Sequence, residues 1–161
     1  MTHNDILRRI CHIFEFNDSK IIDIFSLADH QVTQEQVSAW LKEDDDPAYQ
    51  KCGDNELAIF LNGLINYKRG KKEGAQPELK KRLTNNAVLV KLKIALDLKA
   101  EDITAIMTLA GMSLGRNELS TLFRRPGHKH YRFCDDQILE GFLNGMQLKY
   151  RPEIEEKTQG S

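Results

Sequence analysis

Fixed cations and imidazoles crowd around a glycine and an aromatic ring in the segment Arg124-Arg125-Pro126-Gly127-His128-Lys129-His130-Tyr131-Arg132. A loop of this composition can hold a phosphate: arginines offer bidentate forks, loop amides converge on an anion, and Tyr131 can stack on a base. The same residues also fit a solvated loop whose tyrosine packs on the core, as the comparable Tyr49 beside acidic Asp44-Asp45-Asp46 suggests. A basic cluster alone is a weak signal, and both readings stay open. His128, His130 and Cys134 add three potential metal ligands within seven residues. A zinc site needs four ligands arranged in space, and no Cys-x-x-Cys or His-Glu-x-x-His spacing occurs. No metal and no cofactor are expected.

Catalysis would need a nucleophile with its base, a glycine-rich phosphate loop, or paired carboxylates in a cleft, and none of these stands out. Asp44-Asp45-Asp46 and Asp135-Asp136 read as loop charge and as acid at helix N-termini. No catalytic residue is assigned, and a non-enzymatic protein is expected. An enzyme acting on a phosphorylated small molecule through the basic loop has no positive support.

The elements that position these residues are written twice. Laying the chain on itself at an offset of 82 residues aligns 4–69 with 86–151 without a gap. Identical pairs include Asn4/Asn86, Ile24/Ile106, Tyr49/Tyr131, Cys52/Cys134 and the run Phe60-Leu61-Asn62-Gly63 with Phe142-Leu143-Asn144-Gly145. In each copy apolar residues recur every three or four positions, which predicts four helices with one buried face each. The first is expected to be capped by Asn4 or Asn86, and the third by Thr33 in a capping box with Gln36. In the second copy Gly115 replaces Thr33, so Ser113 is the candidate cap. Gly63 and Gly145 fall inside the fourth helix, where glycine is costly unless a neighbour needs the missing side chain. A close helix crossing at a pseudo-twofold axis is the expected reason.

The fold class expected is therefore all-α, a tandem duplication of a four-helix unit packed with pseudo-twofold symmetry. Residues 1–69 form the first repeat, 70–85 a basic linker with two glycines and a proline, 86–151 the second repeat, and 152–161 a charged flexible tail.

Within each repeat the second and third helices have the outline of a helix-turn-helix. In the first copy Asp29-His30-Gln31 stands where a turn glycine is usual, and Glu43-Asp44-Asp45-Asp46 would repel phosphate. The second copy, with Gly111 in the turn and Arg116, Arg124 and Arg125 nearby, suits DNA better. Such hairpins are nevertheless common packing units, and that reading comes first.

The 161 residues carry a formal net charge of only −1, which argues against a field that steers the whole protein to nucleic acid or membrane. The balance is uneven: 7 Lys/Arg against 12 Asp/Glu over 1–69, 15 against 9 over 70–151, and 1 against 3 in the tail. Any electrostatic role belongs to the second half. The start lacks the apolar stretch of a signal peptide, no run approaches the roughly 20 apolar residues that span a bilayer, and three scattered cysteines suit reduced thiols. A cytoplasmic protein without membrane contact is expected.

The duplicated Phe-Leu-Asn-Gly, the Lys68-Arg69-Gly70-Lys71-Lys72-Glu73-Gly74 link and Pro126-Gly127-His128-Lys129-His130-Tyr131 resemble the YehS-like family of bacterial proteins, domain of unknown function 1456. The resemblance covers nearly the whole chain and implies a bacterial cytosolic protein with a duplicated helical domain. It transfers no catalytic residue. The functional expectation is a binding protein that contacts nucleic acid or another anionic partner through Arg116, Arg124, Arg125, His128, Lys129, His130, Tyr131 and Arg132, with the linker lysines. The alternative is a protein-interaction module or homo-oligomer in which acidic and basic halves recognise other proteins or each other.

Overall fold

The computed structural model describes residues 1–79 and 82–151, and every regular element among them is a helix. The tail 152–161 and Lys80 and Lys81 of the linker lie outside the described residues. The helices are α1 (His3–Ile13), α2 (Asp18–Leu27), α3 (Gln34–Leu41), α4 (Asp54–Arg69), α5 (Asn85–Ala95), α6 (Ala100–Leu109), α7 (Arg116–Leu122) and α8 (Asp136–Tyr150). Advancing the starts of α1 to α4 by 82 residues lands on the starts of α5 to α8 in every case. The duplication in the sequence is thus a duplication in structure. Among the described residues the chain divides into two compact units, one drawn from Met1–Leu83 with Ile94–Leu96 and one from Thr84–Lys93 with 97–151.

Caps set the helix starts, and three differ from the sequence expectation. Thr2 caps α1: its Oγ1 accepts the Asp5 amide at 3.1 Å while its own amide donates to Asp5 Oδ2 at 2.9 Å. Thr84 caps α5 by accepting the Ala87 amide at 3.1 Å. Asn4 and Asn86 therefore lie inside their helices, because a threonine two residues earlier already satisfies the orphan amides. Gly115, and not Ser113, precedes α7, and its amide donates to Glu118 Oε1 at 3.4 Å. The capping box of α3 is as expected, with Gln36 N donating to Thr33 Oγ1 at 3.1 Å and Thr33 N to Gln36 Oε1 at 2.9 Å.

Each unit buries one apolar stripe from each of its helices. In the first unit Ile6, Leu7 and Ile10 of α1 meet Ile21, Ile24 and Phe25 of α2, Val37 and Trp40 of α3, and Leu57, Phe60, Leu61 and Leu64 of α4. Phe25 lies 5.5 Å from Trp40 and 5.6 Å from Phe60, ring centre to ring centre. The second unit puts Met107, Leu122 and Phe142 in those places, so its core is mostly aliphatic.

α4 lies against α2, and α8 against α6. A Cβ on Gly63 would sit 2.0 Å from the carbonyl oxygen of Ile24, and one on Gly145 would sit 2.0 Å from that of Ile106. The close crossing expected of these glycines is real, but it is made within each unit against the second helix. The expected location at a pseudo-twofold axis is corrected accordingly: the backbone of α2 or α6 is what fills the space. In the second unit Met112, from the turn after α6, also fills the space over Gly141, where a Cβ would lie 1.7 Å from its sulfur.

The hairpin turns match as well. Asp29 ends α2 at φ +59° and Gly111 ends α6 at φ +78°. Aspartate tolerates the left-handed region better than most residues, so the turn glycine missing from the first copy is replaced by a residue of the same conformation. No helix among the described residues is long and apolar enough to cross a membrane.

Candidate functional site

The basic segment forms the connection between α7 and α8, and one buried side chain fixes it. Asn86, in the first turn of α5 and only 6% exposed, donates from Nδ2 to Leu122 O at 3.0 Å and to Arg132 O at 2.8 Å. Its Oδ1 accepts the Cys134 amide at 2.8 Å. A single side chain thereby ties the end of the third helix to the irregular segment before the fourth. Asn4 does the same in the first unit, joining Trp40 O (3.0 Å), Gln50 O (2.8 Å) and Cys52 N (2.9 Å), with the Tyr49 hydroxyl also donating to Oδ1 at 3.0 Å.

Between these anchors the two loops follow one backbone path. His128 N donates to Arg125 O at 2.9 Å, Tyr131 N to His128 O at 3.0 Å, and Arg132 N to Thr121 O at 3.1 Å. The matching bonds in the first unit run from Asp46 N to Glu43 O (3.0 Å), Tyr49 N to Asp46 O (3.0 Å) and Gln50 N to Ala39 O (3.2 Å). Even the side-chain turn is shared: Asp46 Oδ1 accepts the Ala48 amide at 2.8 Å, and His128 Nδ1 accepts the His130 amide at 3.0 Å. An imidazole nitrogen here replaces a carboxylate oxygen in an Asx-type turn, which requires that Nδ1 carry no proton.

The charges on the two loops are opposite. Glu43, Asp44, Asp45 and Asp46 occupy the path that Arg125, Pro126, Gly127 and His128 occupy in the second unit. In the first unit Arg8 partly neutralises the acidic loop, reaching Glu43 at 3.1 Å and the Lys42 carbonyl at 3.1 Å. The second unit has Val90 in that place. Arg116, Arg124, Arg125 and Lys129 are exposed and make no ion pair with any described residue.

The expected residues do not all converge. Arg125, His128 and Lys129 line a depression of about 510 Å³ together with Gly127. Arg132 turns toward α7 and stands 3.6 Å from Glu118. Arg116 opens α7 while Arg124 follows it, so the helix separates them at about 1.5 Å per residue. Tyr131 is half-buried, and His130 is exposed with its ring centre 5.6 Å from that of His128. Of the linker lysines, Lys71 pairs with Asp29. Phe133, which sequence reasoning passed over, is the most exposed large apolar residue among the described residues, at 56%.

Cys134 is fully buried, its thiol directed to Asp135 O at 3.7 Å, whereas His128 is half-buried and His130 exposed. Among the described residues no three His, Cys, Asp or Glu side chains converge as metal ligands. Burial pushes the Cys134 thiol up to about 12, helped by Asp135 and Asp136, and burial with Glu56 does the same for Cys52. Such thiols stay protonated and are poor nucleophiles. No buried side-chain nitrogen or oxygen among the described residues lacks a hydrogen-bond partner.

Two copies of one four-helix unit, each with an asparagine-clamped loop, define a tandem-repeat helical protein. The chain belongs to the family described as "Protein of unknown function (DUF1456)", which it matches over residues 3–70 and again over 85–151. These ranges open 82 residues apart, the offset of the helices. Among its relatives is the protein "Uncharacterized protein YehS" of Escherichia coli (strain K12), 42% identical over 150 residues that cover 92% of this chain and 96% of that one. No solved structure matches the chain.

Proposed function

We propose that this is a non-enzymatic binding protein whose second unit contacts an anionic partner, nucleic acid first, through the loop from Arg124 to Arg132. One observation carries the reading: Arg124, Arg125 and Lys129 are exposed cations without an ion-pair partner among the described residues, on a loop whose backbone is held by a buried side chain. Cations carried on a held backbone and not neutralised within the protein give up no internal partner when they meet phosphate. Arg132, shared with Glu118, and Arg116, at the far end of α7, contribute at the margin.

The test is fluorescence anisotropy of labelled duplex DNA, single-stranded DNA and RNA at low and near-physiological salt. Binding should fall steeply with salt, and Arg124→Ala with Arg125→Ala should weaken it and lower the salt slope by about 2. Absence of binding at low salt would sink the reading.

A second reading is favoured by the loop pair itself. Two loops of one backbone path and opposite charge suit self-association in which the acidic loop of one molecule meets the basic loop of another. Sedimentation velocity decides it. Under self-association, neutralising Asp44, Asp45 and Asp46 and neutralising Arg124 and Arg125 should each abolish the larger species, whereas under nucleic-acid binding only the arginine change matters.

A further inference from the structure

Three aromatic rings border the basic loop, and they are not equivalent. Phe123 is half-buried with Lys93 Nζ 5.0 Å above its ring centre. Tyr131 is half-buried on the path that in the first unit sends Tyr49 inward to Asn4. Phe133 alone stands out, 56% exposed and in contact with no other ring among the described residues.

Its exposure is enforced by its neighbours. The carbonyl of Arg132 and the amide of Cys134 both bond Asn86, and the Cys134 side chain is fully buried. With the main chain held on both sides and the Cys134 side chain occupying the core, the Phe133 ring between these anchors is left in solvent. Relaxing Phe133 inward would break the clamp. Exposing a phenylalanine forgoes roughly 1.5–3 kcal/mol of burial, and the first unit avoids that loss by placing Lys51 at the matching position. The exposed ring therefore occurs only where the loop is cationic.

Resting on the anion-binding reading above, we propose that the partner is single-stranded nucleic acid, with Phe133 stacking on an unpaired base while Arg124, Arg125 and Lys129 neutralise the adjoining phosphates. A duplex supplies the phosphates but hides the base faces, leaving the ring without an acceptor. Single strands supply both, and stacking on an aromatic side chain tolerates any base. A purely electrostatic partner gives no role to Phe133, and a purely apolar one gives none to the arginines.

The experiment uses the full chain with a labelled oligothymidylate and a duplex of equal length, titrated at several salt concentrations with wild type, Phe133→Ala, Phe133→Trp and Arg124→Ala/Arg125→Ala. Thermal melts check that each variant is folded, which is expected because every altered side chain is exposed. The single strand should bind more tightly than the duplex. Phe133→Ala should weaken single-strand binding roughly 10-fold or more without changing the salt slope, and should leave the duplex unaffected. Phe133→Trp should retain binding, and its indole emission should be quenched by the oligonucleotide, whereas emission from the buried native Trp40 should not change when the oligonucleotide is added to wild type. If both nucleic acids bind, depend on the arginines and ignore Phe133→Ala, the stacking proposal is overturned while the anion-binding reading stands. If neither binds at low salt, both fall.

Discussion

Asn86 accepts the Cys134 amide at 2.8 Å from inside a helix 48 residues away in sequence, and the same bond recurs between Asn4 and Cys52 at 2.9 Å. These two bonds are the centre of each unit's polar architecture. Asparagine alone among small side chains offers an acceptor and two donors on one planar group, and all three are used.

Removing that group should be expensive. Asn86→Ala leaves Leu122 O, Arg132 O and Cys134 N without their partner. Each buried orphan costs about 1–3 kcal/mol, so a loss of about 3–5 kcal/mol is expected in urea unfolding. Asn86→Asp should be no better at neutral pH, because a carboxylate cannot donate to the two carbonyls. A loss under 1 kcal/mol would mean that water replaces the side chain.

The glycines of α4 and α8 make a sharper steric test. Gly63→Ala and Gly145→Ala place a methyl 2.0 Å from a helix carbonyl, so α4 must move off α2, or α8 off α6. About 1–3 kcal/mol of destabilisation is expected for each, although alanine is the better helix former. Gly127→Ala, where nothing lies within 4 Å, should leave the melting temperature unchanged.

Buried thiols should be inert and should report on pH. Ellman's reagent is expected to find no reactive cysteine in the native protein and all three after denaturation, since Cys11, Cys52 and Cys134 are each buried. Folding raises the Cys52 and Cys134 thiols from 9.0 to about 12. The native state therefore favours the protonated form, a contribution that is complete below pH 9.0 and is lost as the pH rises from there through about 12. Chemical unfolding at pH 8 and pH 10.5 should show this decline, and Cys52→Ala with Cys134→Ala should lessen it, the remainder belonging to Cys11, whose thiol burial also raises.

His128 should hold the tip of the basic loop through its acceptor nitrogen. His128→Ala removes the bond from the His130 amide and should speed tryptic cleavage after Lys129 about five-fold, in proportion to one hydrogen bond of about 1 kcal/mol. His128→Asp restores the turn that Asp46 makes and should cleave at the wild-type rate. Equal cleavage of the two variants would assign the turn to the backbone alone.

The helices and the duplication were legible in the sequence because both rest on periodicity, and a gapless offset of 82 residues preserves it throughout. The clamp was not, and the reason is physical. Asparagine near a helix start is a good cap by local rules, and only the tertiary fold brings Trp40 O, Gln50 O and Cys52 N around Asn4. A hint lay in the identity of both the asparagine and the cysteine between copies, which capping alone does not demand. The glycine crossings were legible as close contacts but not as contacts with α2 and α6, since spacing names no partner. The basic residues were visible as a cluster, while Arg116 and Arg132 separate from it for reasons of helix length and of Glu118. Phe133 was invisible as an exposed ring, because its outward direction follows from the clamp.

In the second unit the asparagine grips only main-chain atoms of the loop, so the grip is indifferent to which side chains the loop displays. A segment held in this way can change its chemistry without renegotiating its shape. The two halves of the chain have diverged along that line: one outline carries carboxylates and a lysine, the other guanidinium groups, imidazoles and a phenyl ring. Duplication here has yielded a protein that presents two messages in one typeface, and exchanging residues 43–51 for the residues of 125–133 should transfer the message without disturbing the letterform.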